Sequence, residues 1–328
     1  MTTSDSVLTG PRPTSVPSVG PVVAELEDEI VSFRRDLHRH PELSYEEYRT
    51  TDRIVELLSG YGLSPVRMES TGAYVDVGEG PVVLALRADI DALPVEERSG
   101  KPYASTVTQV DAATGDEVPV SHACGHDFHI MGVLGTLEAY AAHQECWSGT
   151  LVAVFQPAEE QGAGAGAMLD DGLSDAMPAP DVYLGQHVLP TLPGGYLGTH
   201  PGPVMTQAFS ARIDIWGKGT HGSMPEMGVD PILLAANIVT RLHTVVSREV
   251  AANDPAVLTV GAIRSGVKAN VIPETAELHV NSRAYTKEVS ERLRNAIERI
   301  VRAECAAAGT PREPEITYYD EYPLTDND

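Results

Sequence analysis

An apolar segment of this chain ends in two adjacent carboxylates, Glu159 and Glu160, within the run LVAVFQPAEEQ. Placing two carboxylates at the edge of a core is costly, because burial disfavours their charged form. A metal-dependent hydrolase uses such a pair, with one carboxylate bound to metal and the other taking a proton from water. An isolated Glu-Glu pair is more often a solvated pair at a helix start, where the helix dipole favours negative charge.

A second group of metal-binding residue types lies upstream, in the run SHACGHDFH. Cys124 and His126 flank a glycine before a predicted helix, and the amides at a helix N-terminus favour a thiolate that can bind metal. Taken alone, Cys124 could equally be a buried, inert cysteine. His122 and His129 fit packing or orienting roles better than direct metal binding. The cluster, together with His187, favours a metal site over a solvated carboxylate pair.

Two further strand-like runs end in polar residues of the same kind. The run at 82–86 leads to Asp89 and Asp91, and the run at 181–185 leads to His187. The carboxyl ends of strands in an open α/β sheet face the ligand crevice, so these side chains are predicted to converge. Asp89 and Asp91 suit the orientation of a histidine ligand, although a simple turn role fits Asp91 equally well.

Two other chemistries compete for the same residues. The run Gly162 to Ala167 has the G-x-G-x-x-A form of a dinucleotide fingerprint, but five residues separate it from the strand and two carboxylates would repel a pyrophosphate. These glycines fit close packing of a helix on a sheet better. Cys124 could also act as a nucleophile beside a histidine. That scheme leaves Glu159, Glu160 and His187 without a role, so a metal site accounts for more of these residues.

The pattern of apolar residues predicts alternating strands and helices in the first part of the chain, typical of a largely parallel sheet covered by helices. After residue 202 the order changes to that of a smaller α+β domain. His38 and His40, before Pro41, are predicted to close a helix. The predicted helices are 24–60, 126–143, 162–169, 230–248 and 287–308, and the predicted strands are 82–86, 151–155, 181–188, 209–215, 257–263 and 275–282.

Composition limits the class of protein. The chain has 328 residues, 42% of them hydrophobic, without an apolar run long enough to span a membrane, so a globular cytoplasmic protein is expected. Three cysteines are too few for a disulfide framework. A net charge of -24 argues against binding to nucleic acid or to an anionic membrane and favours a small-molecule substrate.

Several segments together resemble the metallo-amidohydrolases that include aminoacylases, hippurate hydrolase and auxin-conjugate hydrolases, relatives of di-metal carboxypeptidases and dipeptidases. The resemblance covers roughly residues 25–328, and the ordered set is specific although each motif alone is weak. The matching segments are HRHPEL at 38–43, RADIDALP at 87–94, HACGHD at 122–127, FQPAEE at 155–160, GQH at 185–187, GKGTH at 217–221 with Pro225, DPI at 230–232 and NVIP at 270–273.

The resemblance implies roles for particular residues. Two divalent ions, Zn, Mn, Co or Ni, are expected, with Glu159 as general base and acid. Asp89 corresponds to an aspartate that contacts a metal ligand and does not bind the metal itself. His221 corresponds to a histidine that reaches the active site of a partner subunit in relatives. Asn270 and Arg283 correspond to positions that bind the substrate carboxylate. The implied metal ligands are Cys124, His126, Glu160 and His187.

The composition of the N-terminus, the order of the predicted elements and the resemblance together predict a domain organisation. Residues 1–22 are expected to be a disordered leader, 23–202 a di-metal exopeptidase-like catalytic domain and 203–314 an inserted dimerisation or lid domain. Residues 315–328 are expected to begin the return to the catalytic domain. Relatives continue past an Asn-Asp like Asn327-Asp328 with a stretch that supplies a last histidine ligand, so the C-terminal part of the catalytic domain is expected to be missing.

The predicted function is metal-dependent hydrolysis of N-acyl amino acids to a carboxylate and a free amino acid, by a homodimer formed through the inserted domain. Two alternatives remain. The same site could act as a carboxypeptidase or dipeptidase, or the chain could be a catalytically impaired protein that serves as a binding or assembly module.

Overall fold

The computed structural model describes residues 19–327, which fall into two compact units that divide between Pro193 and Gly194. The boundary therefore falls at Pro193, whereas the sequence placed it at residue 202. Most of the predicted leader, up to residue 18, lies outside the described residues, and the first helix already begins at Val19.

The first unit alternates helices and strands, as predicted. Its elements, in chain order, are α1 (Val19–Arg39), α2 (Tyr48–Gly60), β1 (Val66–Arg67), β2 (Ala73–Val77), β3 (Val83–Asp89), β4 (Thr108–Val110), β5 (Glu117–Pro119), α3 (His126–Ala142), a 3₁₀ turn (Gln144–Cys146), β6 (Thr150–Gln156), α4 (Gly164–Asp170), α5 (Leu173–Ala176) and β7 (Val182–Gly185). The polar stretch between 107 and 120 forms the β4–β5 hairpin.

The prediction of one helix over 24–60 is wrong, because α1 and α2 are separate helices. Pro41 lacks an N–H group and disfavours helical conformation in the residue before it, so α1 ends at Arg39. The carboxylate of Glu42 then accepts hydrogen bonds from the amides of Arg49 (2.9 Å) and Thr50 (2.7 Å) in the first turn of α2. Those amides have no partner inside a helix, so Glu42 helps α2 to begin there.

The sheet of the first unit has the strand order β1-β2-β6-β3-β7. β3 lies between β6 and β7 and pairs in parallel with both. The prediction of a mostly parallel sheet holds for these three strands only, because β1 and β2 are antiparallel to their neighbours. The link from β1 to β2 is too short for the crossover that parallel strands require.

β6 is central and is buried on both faces, which explains its continuous apolar sequence. Leu151, Ala153 and Phe155 point into a core shared with α1, α2 and α3. Val152 and Val154 point into a smaller core on the opposite face. Helices therefore cover both faces of the sheet, and the α/β class predicted from the sequence is confirmed.

The second unit is an α+β structure. A four-stranded antiparallel sheet, with order β11-β13-β9-β14, packs against α6 and α7. Helix α7 has the predicted bounds. The elements of this unit are β8 (Gly202–Met205), β9 (Gln207–Trp216), β10 (Thr220–His221), a 3₁₀ turn (Pro225–Met227), α6 (Pro231–Arg248), β11 (Ala256–Ser265), β12 (Val271–Ile272), β13 (Thr275–Ala284), α7 (Lys287–Ala308), β14 (Glu315–Tyr322) and β15 (Thr325–Asn327).

The structure differs from the expectation for residues 315–328. Strand β14 pairs antiparallel with β9 and completes the sheet of the second unit, and β15 pairs with β8. Along β14, the half-buried Ile316 and Tyr318 alternate with exposed residues and pack on the core of this unit, which explains why the strand joins this sheet. Across the described part of the chain, no helix combines the length and the hydropathy needed to cross a membrane.

Candidate metal centre

The carboxyl ends of the three parallel strands carry the polar residues that the sequence singled out. Asp89 is the last residue of β3, Glu159 and Glu160 follow β6, and His187 follows β7. His126 is the first residue of α3, which packs against β3 and β6. The predicted convergence therefore occurs at one edge of the sheet.

His126 lies at the centre of this group, and its side chain is only 1% exposed. Its Nε2 atom lies 3.6 Å from Glu160 Oε1, 3.7 Å from Glu159 Oε2 and 3.8 Å from Asp89 Oδ2. These distances are too long for hydrogen bonds. Among the described residues, Nε2 of His126 and Oε1 of Glu160 are buried and have no hydrogen-bond partner.

A metal ion would satisfy both of these atoms. A buried polar atom without a partner is costly, and an imidazole nitrogen that faces carboxylate oxygens at non-bonded distance is suited to sharing a cation with them. Nδ1 of His126 lies 3.2 Å from Asp91 Oδ1, so Asp91 can accept the Nδ1 proton and leave Nε2 free to bind metal.

Cys124 and His187 extend the group on its exposed side. Sγ of Cys124 lies 3.4 Å from Nε2 of His187, and the ligand atoms of Cys124, His126 and His187 are all within 4.8 Å of one another. Nδ1 of His187 donates to the carbonyl of Val188 at 2.7 Å, so the ring proton lies on Nδ1 and the lone pair of Nε2 faces Cys124. The structure thus brings together all four residues that the resemblance implies as ligands.

The electrostatic environment also suits a cation. Burial opposes a charge on His126, but the hydrogen bond to Asp91 and the charge of Asp89 outweigh it and raise its pKa to about 9. Burial and then the charge of Glu160 raise the pKa of Cys124 to about 12. Burial likewise raises the pKa of Glu160. A divalent ion would offset this excess of negative groups.

Asp89 contacts a histidine that is not one of the implied metal ligands. Its Oδ1 lies 2.5 Å from Nδ1 of His129, and Nε2 of His129 accepts from the amide of Val188 at 2.9 Å. His129 therefore links β3 to the segment that carries His187, which agrees with an orienting role. The aspartate that contacts His126 directly is Asp91, for which the sequence left a turn role equally open.

The turn that carries Glu159 and Glu160 is held by its backbone. The carbonyl of Ala158 accepts from the amides of Ala163 (3.3 Å) and Gly164 (3.2 Å), at the start of α4. The amide of Glu160 donates to Asp91 Oδ2 at 3.0 Å. One aspartate therefore contacts both His126 and Glu160.

Of the two histidines before Pro41, only His40 closes a helix. Its Nδ1 contacts the carbonyl of Asp36 at 2.8 Å. His38 instead contacts Asp127 Oδ2 at 2.8 Å and Glu97 Oε1 at 3.1 Å, so the prediction for His38 is wrong. The long-range partner Asp127, in the first turn of α3, outcompetes the local carbonyls because it is buried and charged.

The second unit contains the remaining predicted residues. His221 lies on β10, which pairs with β12, and the amide of Gly222 donates to the carbonyl of Asn270 at 2.8 Å. His221 and Asn270 are thus neighbours on an exposed two-stranded ribbon. Arg283 is exposed near the far end of β13, opposite Ala208, so the structure does not bring it to this ribbon.

Residues 85–320 match the sequence profile of the family described as Peptidase family M20/M25/M40. The chain belongs to this family, and the predicted resemblance to metallo-amidohydrolases is confirmed. An N-acetyl-L-cysteine deacetylase of Bacillus subtilis (strain 168) is 39% identical over 277 residues, which cover 83% of this chain and 63% of that protein. The chain thus spans less than two thirds of that relative.

Two further relatives support the same family. Thermostable carboxypeptidase 2 of Saccharolobus solfataricus is 34% identical over 313 residues, 93% of this chain and 76% of that protein. The crystal structure of the Bacillus subtilis YXEP protein, a dinuclear metal binding peptidase from the M20 family, has a TM-score of 0.75 and 31% identity. It covers 93% of this chain and 77% of the YXEP chain.

Proposed function

We propose that the protein is a metal-dependent amidohydrolase that cleaves the amide bond of N-acyl amino acids, releasing a carboxylate and a free amino acid. The observation that carries this proposal is the buried, unpartnered Nε2 of His126, which faces the carboxylates of Glu159 and Glu160. The family and the deacetylase relative support the choice of an amide bond.

Two divalent ions would be held by Cys124, His126, Glu160 and His187, and Zn, Mn, Co and Ni all suit these donors. When bound, such ions polarise a carbonyl group and make water a stronger acid. Asp91 keeps the proton of His126 on Nδ1, and Asp89 with His129 orients the segment of His187.

Glu159 is the proposed general base. Both carboxylates face Nε2 of His126, but the side chain of Glu159 is 36% exposed, against 22% for Glu160, so Glu159 has the better access to water and substrate. Glu159 takes a proton from the attacking water and then donates it to the amine nitrogen that leaves. His221 of a partner subunit is proposed to bind the scissile carbonyl, and Asn270 and Arg283 the substrate carboxylate.

We also infer that the active form is a homodimer joined through the second unit, in the cytoplasm. β11 is an edge strand of its sheet, with Val257 51% and Ile263 50% exposed. On α6, Ile232 is 47% and Leu233 62% exposed. An exposed strand edge with neighbouring apolar side chains favours pairing with a second copy.

The first experiment combines elemental analysis for metal with hydrolysis of N-acetyl-L-cysteine, with and without added Mn or Zn. Wild type should release cysteine only with metal, and Glu159→Gln should lower kcat by at least about a thousandfold while metal stays bound. Glu145→Gln, an exposed substitution on the 3₁₀ turn far from the site, should match wild type. Metal bound without turnover by wild type would contradict the proposal and favour a binding module.

A carboxypeptidase is the second candidate, favoured by the relationship to Thermostable carboxypeptidase 2. Both reactions break an amide bond beside a free carboxylate, so the same ligands and the same base would serve. The ratio of kcat/KM for N-acetyl-L-cysteine to that for a blocked dipeptide separates them. A ratio below one would replace the amidohydrolase proposal with the peptidase.

A further inference from the structure

Glu47 is a fully buried carboxylate that no step proposed above uses. It stands immediately before α2 and is 0% exposed. Its Oε1 accepts from the amide of Ala158 at 2.8 Å, and its Oε2 lies 2.5 Å from Oγ1 of Thr71. Burying a carboxylate costs free energy unless its oxygens are hydrogen-bonded, so these two contacts are what make the position tolerable.

Strained backbone surrounds this carboxylate. In the described residues, four non-glycine residues have a positive φ, and three of them are Tyr45 (66°), Thr71 (71°) and Ala158 (45°). Thr71 and Ala158 are the two hydrogen-bond partners of Glu47, and Tyr45 precedes it by two residues. Such a conformation is unfavourable for a residue with a Cβ atom and persists only where the surroundings impose it.

Ala158 connects Glu47 to the metal centre. It directly precedes Glu159 and Glu160, and its left-handed conformation turns the chain out of β6 so that both carboxylates face His126. The amide of Ala158 points to Glu47 in this conformation. The carbonyl of Ala158 is held by the amides of Ala163 and Gly164, and its amide is held by Glu47. If φ of Ala158 became negative, one of these two attachments would have to break, and without Glu47 the amide side is free to rotate.

We propose that Glu47 is a positioning residue, whose hydrogen bond to the amide of Ala158 holds the left-handed turn that presents Glu159 and Glu160. The proposal rests on the function proposed above for those two carboxylates. Glu47 does not touch substrate or metal and acts only through the turn.

Two substitutions of nearly equal volume separate the hydrogen bond from packing. In Glu47→Gln the amide oxygen can still accept from Ala158 and the NH₂ group can donate to Oγ1 of Thr71, whose hydroxyl hydrogen then serves the carbonyl of Ser70 at 2.5 Å. Burial raises the pKa of Glu47 to about 7, so a neutral side chain suits this site. Glu47→Met fills the same space but offers only a weak acceptor.

A third substitution tests the strain. Glycine adopts positive φ without penalty, so Ala158→Gly favours the left-handed turn without help from Glu47. Alone, Ala158→Gly should change kcat by less than about threefold. Combined with Glu47→Met, it should restore most of the Zn affinity and kcat that Glu47→Met loses, because the turn no longer depends on the missing hydrogen bond.

The test measures three quantities for each variant. These are the φ of residue 158 in crystals of the metal-free protein, the Zn affinity by competition with a chelator, and kcat and KM for N-acetyl-L-cysteine. Glu47→Met should lose left-handed φ at residue 158 and about 10–100-fold in Zn affinity and in kcat, with little change in KM. Glu47→Gln should stay within about threefold of wild type.

The proposal is overturned if Glu47→Met keeps both the left-handed φ of residue 158 and the Zn affinity of wild type. It is also overturned if Glu47→Gln and Glu47→Met lose Zn affinity and kcat equally. If Glu47→Met does not fold, the double variant decides, because a folded double variant with a left-handed Gly in place of Ala158 supports the proposal and an unfolded one contradicts it. Inactive wild type would refute the proposed function alone, since φ and Zn affinity still report on Glu47.

Discussion

The imidazole of His126 connects most of the candidate metal centre. Its Nδ1 contacts Asp91, and its Nε2 faces Asp89, Glu159 and Glu160 at 3.6–3.8 Å. An imidazole that directs its Nδ1 proton to Asp91 and has three carboxylates around Nε2 is arranged to bind a divalent ion at Nε2 in place of the second ring proton. The residue types alone predicted this chemistry, because few other functions gather cysteine, histidine and glutamate.

Glu47 and Asp91 show where reasoning from residue types stops. Glu47 lies in the polar run SYEEY, which resembles an exposed helix start, and nothing in that run marks it as buried. Its partners Thr71 and Ala158 are distant in the sequence. Asp91 looked equally like a turn residue. Only the long-range contacts of these two carboxylates, with His126 for Asp91 and with Ala158 for Glu47, indicate their roles.

The buried carboxyl of Glu47 should make folding stability depend on pH. Burial, only partly offset by the hydrogen bonds of Thr71 and Ala158, raises its pKa from 4.5 to about 7. Because the pKa is raised by folding, the full stability is present below pH 4.5 and is lost as the pH rises towards 7. At pH 8 the loss should reach about 3 kcal/mol.

Urea unfolding of the metal-free protein between pH 4.5 and pH 8 measures this effect. Glu47→Gln removes the titrating group, so its stability relative to wild type should rise across this range and then level off. The charge of Asp91 contributes to the raised pKa and is present in both proteins. A difference between the two proteins that is constant with pH contradicts this assignment.

Among the secondary-structure elements, β6 and α4 determine where the two glutamates lie. β6 is anchored by burial on both faces, and α4 begins directly against the turn that follows it. The sequence predicted both elements within a few residues, because an apolar run and a run of small residues have clear propensities. It did not predict that the turn between them would be left-handed at Ala158.

Gly164 should be required for this arrangement. A Cβ atom at residue 164 would lie 1.6 Å from the carbonyl oxygen of Pro157, so alanine must displace either α4 or the turn. Gly164→Ala should therefore lower kcat at least about tenfold and the free energy of unfolding by about 1–3 kcal/mol. Steady-state kinetics and urea unfolding provide the two values.

Gly166 provides the matched control within the same helix. A Cβ atom at residue 166 would have no atom within 4 Å. Gly166→Ala should leave kcat unchanged and stabilise the protein by about 0.5–1 kcal/mol, through the better helix propensity of alanine. Equal losses in both variants would show that close packing at Gly164 does not position the turn.

The two compact units carry different parts of the proposed mechanism. The candidate metal ligands and the proposed base lie in the first unit, and His221 and Asn270 lie on an exposed ribbon of the second. Periodicity predicted a change of architecture near residue 200, because the apolar pattern changes there. It did not predict that β14 joins the second sheet, since strand pairing depends on contacts far apart in the sequence.

Mixing two inactive variants tests the proposed role of His221 across a dimer. Glu159→Gln and His221→Ala homodimers should each be nearly inactive. After refolding together at equal amounts, half of the dimers should be mixed, and each mixed dimer should contain one intact site, giving about a quarter of wild-type activity. Leu233→Glu, which places a charge on the proposed interface, should prevent the recovery. No recovery with intact mixed dimers would contradict action in trans.

The sequence by itself determined the α/β class, most element positions, the candidate ligand set and the family, because these follow from residue type, periodicity and ordered motifs. The tertiary structure decided which carboxylates face His126, that Asp91 contacts its Nδ1, and that the buried Glu47 holds the turn at Ala158. Those features depend on strand register, burial and backbone strain. Each of these arises only when distant segments of the chain pack together, and none leaves a local pattern in the sequence.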